Sequence, residues 1–142
     1  MQLSIHVDGA SRGNPGPAAA GIVIRRLGSD DLMLEAGYHL GRMTNNCAEY
    51  EALIRALQIA GDSEAGQVHI FSDSELMVRQ ITGEYRVKSP VLKPLYEQVQ
   101  HLLLKLARWQ VQHIDREQNV RADELANLAL DAGCDEVVLD KM

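Results

Sequence analysis

Apolar and polar residues alternate at the very start of the chain. Leu3-Ser4-Ile5-His6-Val7 has the period of a half-buried strand and ends at Asp8. Ala18–Leu27 and Leu32–Leu40 predict two more strands. Gly28-Ser29-Asp30-Asp31 between them has turn composition, so the first three strands form an antiparallel meander. The period then changes. Thr44-Asn45-Asn46 is a helix-start signal, and Ala48, Ala52, Ala56 and Ala60, with Leu53 and Leu57, recur at helical spacing up to Gly61. Val68–Phe71 is a short buried strand running into Ser72-Asp73-Ser74. A helix over Glu75–Thr82 follows, closed by Gly83. Pro90–Ala107 is helical, with Leu92, Leu95, Val99, Leu102, Leu103 and Leu106 turned inward. Trp109–Ile114 alternates as a fifth strand, Asp115–Gln118 is a loop, and Asn119–Ala132 is the last helix. The order β-β-β-α-β-α-α-β-α predicts one α/β domain over residues 1–132. Residues 133–142 form a tail whose Val137-Val138-Leu139 can add an edge strand.

Bulk properties narrow the class. The chain of 142 residues is long enough to bury its own core. It shows no secretory signal and no apolar run of bilayer length, which points to the cytoplasm and away from a membrane. Cys47 and Cys134 are too few and too distant for a zinc site or a disulfide framework, and free cysteines are expected. The net charge of −6 argues at first against a nucleic-acid partner. Half of it, −3, sits in the last twelve residues, on Asp131, Asp135, Glu136 and Asp140 against Lys141. Arg79 to Lys93 holds Arg79, Arg86, Lys88 and Lys93 against Glu84, so a locally basic groove is compatible with the acidic total.

Four acids carry the candidate chemistry. Asp8 and Asp73 each stand at the exit of a strand. Glu49 lies three residues after Asn46, in the first turn of the first helix, and Asp123 lies in the first turn of the last. Singly each has a structural reading, as a capping box (Asn46-x-x-Glu49), an N-cap (Asp73) or a dipole partner (Asp123). Together they predict something else. If the first and fourth strands are central neighbours, all four meet at one edge, and carboxylates converging without cations repel. Divalent metal relieves that. Magnesium suits an all-oxygen site of this kind, and two such ions can activate a water and steady a leaving phosphodiester oxygen. No His or Cys cluster competes for zinc, and neither a Ser-His-Asp spacing nor a phosphate-binding GxxxxGK[ST] loop is present.

The segments DGASRGNPGPAAAG (8–21), TNNCAEYEAL (44–53), FSDSEL (71–76) and NVRADELANLAL (119–130) occur in an order and at intervals that resemble type 1 ribonuclease H. The resemblance covers Leu3 to about Ala132. It implies the ribonuclease H-like fold, a five-stranded mixed sheet of order 3-2-1-4-5 flanked by helices. It implies a metal-dependent endonuclease that cuts the RNA strand of RNA/DNA hybrids, leaving 5′-phosphate and 3′-hydroxyl ends. Two Mg2+ ions are implied, with Mn2+ as substitute, and no obligate protein partner. Asp8, Glu49, Asp73 and Asp123 match the metal-binding catalytic quartet: Asp8 bridging both ions, Asp73 and Asp123 on either side, Glu49 also accepting from a ribose 2′-OH. Ser11, Gly13 and Asn14 match the turn that meets the hybrid backbone. Thr44 and Asn46 match a pocket for a DNA-strand phosphate, and Asn45 a minor-groove contact. The glycines of the turn, Gly9 and Gly13, are expected to allow close approach to a ligand and positive φ. Pro15 and Pro17 stiffen the return.

Three positions depart from the family pattern. The loop before the last helix reads Asp115-Arg116-Glu117-Gln118 where many members carry a histidine. Arg116 is the candidate replacement, able to hold a departing phosphate but not to shuttle protons. His113 falls within the strand and reads as structural. Glu75 stands where glutamine is common; it can accept from a 2′-OH but not donate, and its charge predicts weaker binding. Thr82 to Pro90 is too short for a basic protrusion, and no N-terminal hybrid-binding module is expected, so substrate binding is expected to be weak and salt-dependent. The rivals are a nuclease for double-stranded RNA or DNA junctions and a hybrid-binding module without catalysis.

Overall fold

Six strands form one mixed sheet in the order β5-β4-β1-β2-β3-β6. The structure, a computed structural model, describes residues 1–142. The strands are β1 (Gln2–Ser11), β2 (Gly16–Arg26), β3 (Leu32–Met43), β4 (Gln67–Ser72), β5 (Arg108–His113) and β6 (Glu136–Asp140). The helices are α1 (Asn45–Asp62), α2 (Glu75–Ile81), α3 (Leu92–Leu104) and α4 (Val120–Ala132), with a 3-10 turn at Arg116–Gln118 inside the predicted loop. The meander β1-β2-β3 is antiparallel, and β4 and β5 run parallel to β1. The predicted order 3-2-1-4-5 is thus embedded in a wider sheet.

The expected strand count of five is corrected to six. Gly133 takes the left-handed conformation that closes α4, and the chain turns back to pair Glu136–Asp140 antiparallel with β3. Without that tail the outer edge of β3 would present unpaired backbone groups. β1 is also longer than predicted. It runs on through Asp8 to Ser11, because β2 keeps pairing with it: Asp8 opposes Gly21 and Ser11 opposes Ala18. β4 stops earlier, at Ser72 opposite Val7. From Asp8 onward β1 therefore has a neighbour on one side only, and the notch so formed is where the acids gather.

The main core lies between the sheet and α1 with α3. Leu3, Ile5 and Val7 of β1, Val68 and Ile70 of β4 and Leu53 and Leu57 of α1 are buried there. The inward stripe predicted for α3 is graded: Leu92, Val99 and Leu103 are buried, Leu95 and Leu102 partly so. On the other face α4 packs on β2 and β3 through Val23, Ala122 and Leu125 and through Ala19, Ala126 and Ala129. The backbones meet there. A Cβ at Gly21 would stand 1.8 Å from Ala122 O, and one at Gly37 2.1 Å from Leu125 O. Gly9 plays the same part on the opposite face, where a Cβ would stand 2.2 Å from the Ala48 carbonyl carbon. Its role is therefore close approach to α1, and positive φ belongs to Gly13 (φ 101). Cys47 is buried and Cys134 exposed, and both are free. No helix is long and apolar enough to cross a membrane.

Gly21→Ala should destabilise the protein by about 1–3 kcal/mol or more, because α4 must lift off the sheet. Gly61→Ala, in a helix with nothing within 4 Å of the new Cβ, should stabilise it by about 0.5–1 kcal/mol. Denaturant titration of the two variants checks both signs.

Candidate active site

Each acid reaches the notch from a different element. Asp8 lies on β1 just beyond the end of β4. Asp73 follows Ser72, so the parallel register sets it beside Asp8. Asp73 is not the cap of α2; Ser74 is, its hydroxyl accepting from Met77 N–H at 3.3 Å, and the Asp73 carboxylate is left available. Glu49 is not in a capping box either. Thr44 caps α1 by accepting from Cys47 N–H at 3.2 Å, which places Glu49 beyond the first turn. Its carboxylate instead accepts from Gly9 N–H, across the contact that only a glycine permits. Asp123 is in the first turn of α4, as predicted.

Carboxylate oxygens of Asp8, Glu49 and Asp73 lie within 4.8 Å of one another. Asp123 is outside that trio but close enough to bear on the protonation of Asp8. Asp8 and Glu49 are 6 % and 5 % exposed, yet neither has a salt-bridge partner. Burial, then the carboxylates of Glu49, Asp73 and Asp123, push the Asp8 carboxyl up to about 9. Burial and Asp73 raise Glu49 too, against the opposing pull of Gly9 N–H and Arg116. The donor set is all oxygen, open to a cleft of about 390 Å³, and fits a hard divalent cation, which would replace the protons these acids otherwise retain.

The cleft also brings in Arg116, at the start of the 3-10 turn, and Glu75. Arg116 is exposed, with its charge close enough to Glu49 to oppose that group's rise. The charge on Glu75 is not loose: its carboxylate accepts from Arg79 Nε at 2.8 Å, and Arg79 also pairs with Glu84 at 2.7 Å. His113 ends β5 and is exposed.

The two segments assigned to the hybrid are tied to each other. Ser11 Oγ donates to Met43 O at 2.8 Å, and Asn14 Oδ1 accepts from Asn45 N–H at 3.1 Å. Ser11–Asn14 and Thr44–Asn46 thus form one wall beside the acids. Gly13, Asn14, Asn45 and Asn46 are exposed on it. Arg12, unassigned by sequence reasoning, braces the turn through Asp131 at 2.6 Å. Asn119 was also missed. It is buried and donates from Nδ2 to Val7 O at 2.9 Å, fixing the start of α4 to β1 one residue before Asp8. The only signal for it was its place at the head of the last quoted segment.

Fold and site together define a ribonuclease H-like domain. A family model described as reverse transcriptase-like matches residues 6–129, and ribonuclease HI of Halobacterium salinarum is 44 % identical over 130 residues. The chain belongs to the type 1 ribonuclease H family. The Halobacterium match covers 92 % of this chain and 65 % of that protein; the bifunctional protein Rv2228c of Mycobacterium tuberculosis is 39 % identical over 99 % of this chain and 38 % of its own length. The chain thus spans less than two thirds of either relative. Among solved structures, ribonuclease H1 of Halobacterium salinarum superposes with a TM-score of 0.90 at 42 % identity, covering 93 % of this chain and 99 % of that one. LC11-RNase H1, solved in complex with RNA/DNA hybrid, superposes with a TM-score of 0.85 at 43 % identity, covering 92 % and 98 %.

Asp8 and Glu49 hold protons in the metal-free protein that the unfolded chain has already released. The contribution of these two groups to metal-free stability is therefore most favourable below about pH 4, where both states are protonated, and falls as pH rises towards 8 to 9. Asp8→Asn should stabilise the metal-free protein at pH 8 by at least about 1 kcal/mol, the worth of one pKa unit, and far less at pH 4. Saturating Mg2+ should raise the melting temperature of the wild type and lose most of that effect in the variant. Thermal melts at both pH values, with chelator or magnesium, check each sign.

Proposed function

We propose that this chain is a ribonuclease H that hydrolyses the RNA strand of RNA/DNA hybrids with two divalent cations. The observation that carries the reading is the uncompensated carboxylate cluster set against the wall of Ser11–Asn14 and Thr44–Asn46. Its membership of the family and the hybrid-bound relative support the same substrate. Asp8, Glu49, Asp73 and Asp123 are the ligands for Mg2+, or Mn2+ in its place. When bound, the two ions supply an activated water and stabilisation of the leaving oxygen, giving 5′-phosphate and 3′-hydroxyl ends.

The chain's own residues do the rest. Ser11, Gly13 and Asn14 meet the backbone of the hybrid in its minor groove, Asn45 reads the groove, and Thr44 and Asn46 receive a phosphate of the DNA strand. The bonds between these segments hold the two strands' contacts at a fixed spacing. Glu49 accepts from the 2′-OH beside the cut, and Glu75 from a second one; that hydroxyl separates RNA from DNA. Arg79 offsets the charge of Glu75, so the penalty expected for a carboxylate there is reduced. Arg116, on the rim of the cleft, holds the departing phosphate, a task for a permanent charge with a planar fork of donors.

Asp73→Asn should abolish turnover with the melting transition intact. The loss should exceed the roughly 10–100-fold that removing a residue merely supporting a metal ligand costs. Arg116→Ala should lower kcat more than it raises KM. End-labelled hybrid, double-stranded RNA and double-stranded DNA of one sequence, each with magnesium, manganese or chelator, provide the assay. Retained activity in Asp73→Asn would overturn the site. Equal cutting of double-stranded RNA would replace the hybrid reading by a broader nuclease, and binding without cutting by a binding module.

A further inference from the structure

One face of the sheet is covered by a helix only in part. α4 packs on β1, β2 and β3, while β4 and β5 extend past it. Ile5, Val68 and Ile70 point into the core, so their neighbours along each strand point the other way. Registration sets His6 of β1 beside Phe71 of β4, and Phe71 beside Gln112 of β5. His69 is level with Gln110, and Arg108 and Arg25 flank the row on β5 and β2.

Three rings are stacked on this face. His6 and Phe71 have centroids 4.7 Å apart and planes 17° from parallel; His69 and Phe71 are 4.2 Å and 30°. The rings are half-buried, and Gln110, Gln112 and Arg108 beside them are exposed. A cavity opens at each end. One of about 500 Å³ is lined by His69, Arg108 and Gln110 on one side and by Leu103, Leu104 and Leu106 on the other; one of about 150 Å³ by His6, Arg25, Gln118 and Arg121. Neither is lined by a carboxylate, in a chain with 20 acids and a net charge of −6; Arg121 is already paired with Glu35 at 2.7 Å and Glu124 at 3.0 Å, which leaves Arg25 and Arg108 as the cations outside any ion pair. Cross-strand packing accounts for the ring contacts but not for the exclusion of acids. The path is also continuous with the catalytic cleft. Arg116 lines the cleft and Gln118, two residues on in the same 3-10 turn, lines the smaller cavity.

Stacked rings, arginines and amide side chains without acids are the equipment of a single-strand platform: every base has a face to stack, and every phosphate attracts a guanidinium. We propose that this face binds an unpaired extension of the substrate, continuing past the 3-10 turn from the hybrid in the cleft. Bases stack against the His6–Phe71–His69 row, and Arg25 and Arg108 meet the phosphates. The inference rests on the hybrid reading of the cleft.

The test is fluorescence anisotropy on the uncleaving Asp73→Asn background, with Mg2+ at low salt. The probes are a blunt hybrid, the same hybrid with a single-stranded extension at either end, and the extension alone. The extended hybrid should bind at least about fivefold more tightly than the blunt one, the low end of what one stacked base contributes. Arg108→Glu and, separately, His69→Ala should erase that gain and leave blunt-hybrid affinity unchanged. Both change partly or fully exposed side chains, and a melt confirms the fold. Equal affinity for blunt and extended hybrids, or a gain that survives both variants, would overturn the proposal. If no hybrid binds, the reading of the cleft fails instead. Binding of the extension alone, weakened by Arg108→Glu, would then still support the platform, and its absence would overturn that too.

Discussion

Burying Asp8 is the constraint around which the molecule is arranged. A carboxylate in the central strand, 6 % exposed and beside a second buried acid, is unfavourable for folding by itself. The apolar contacts of β1 on both sides of the sheet must outweigh it. The chain supplies them by sandwiching β1 between β2 and β4 and pressing α1 and α4 onto opposite faces. Both helices come close enough only because Gly9 and Gly21 lack a Cβ. The same contacts bring Glu49 and Asp123 to Asp8. Close packing and charge repulsion are thus set against each other at one point, and a bound cation turns the repulsion into attraction.

That balance explains why the substrate wall is built as it is. A site that relies on metal needs its phosphates delivered at a fixed distance, and loops by themselves deliver them poorly. Here Ser11 at the end of β1 bonds to Met43 at the end of β3, Asn14 of the turn bonds to Asn45 at the start of α1, and the turn is further braced by the Arg12–Asp131 pair. That ion pair is exposed and contributes little to stability. Its effect is geometric: it links the turn to α4, the helix that carries Asp123. Asn119 completes the arrangement from the other end of the helix.

Much of this was legible in the chain. Period-two and helical stripes located every main element, and four acids at strand exits and helix starts located the cleft. What the residues could not disclose was local competition. Thr44 and Asn46 are both good caps, and it is Thr44 that caps α1, which frees Glu49 for Gly9. β1 was expected to stop at Asp8 because polar residues follow; it continues because β2 goes on pairing, a long-range effect. The sixth strand was visible as Val137-Val138-Leu139, but whether it pairs depends on an open edge at β3 that periodicity alone does not reveal. Glu75 looked like a free charge until Arg79, one helical turn away, was seen to hold it.

The net charge is the clearest case of a bulk number misdirecting. At −6 the chain has the wrong sign for a nucleic-acid enzyme, yet its acids are segregated. Five line the cleft, Asp8, Glu49, Asp73, Asp123 and the Arg79-paired Glu75, where a cation would reverse their effect, and Asp135, Glu136 and Asp140 lie on or beside β6, at the opposite edge of the sheet from β5. Arg116 stands on the rim of the cleft, and the cavity beyond the 3-10 turn has no carboxylate in its lining, with Glu117 in the turn between them. Coulomb interactions in salt fade within about 8–10 Å, so a phosphate in the cleft responds to its neighbours and little to acids a sheet's width away. On the proposed path a strand leaving the cleft would meet Arg116 and then the His6–Phe71–His69 row, whatever the sum over the molecule.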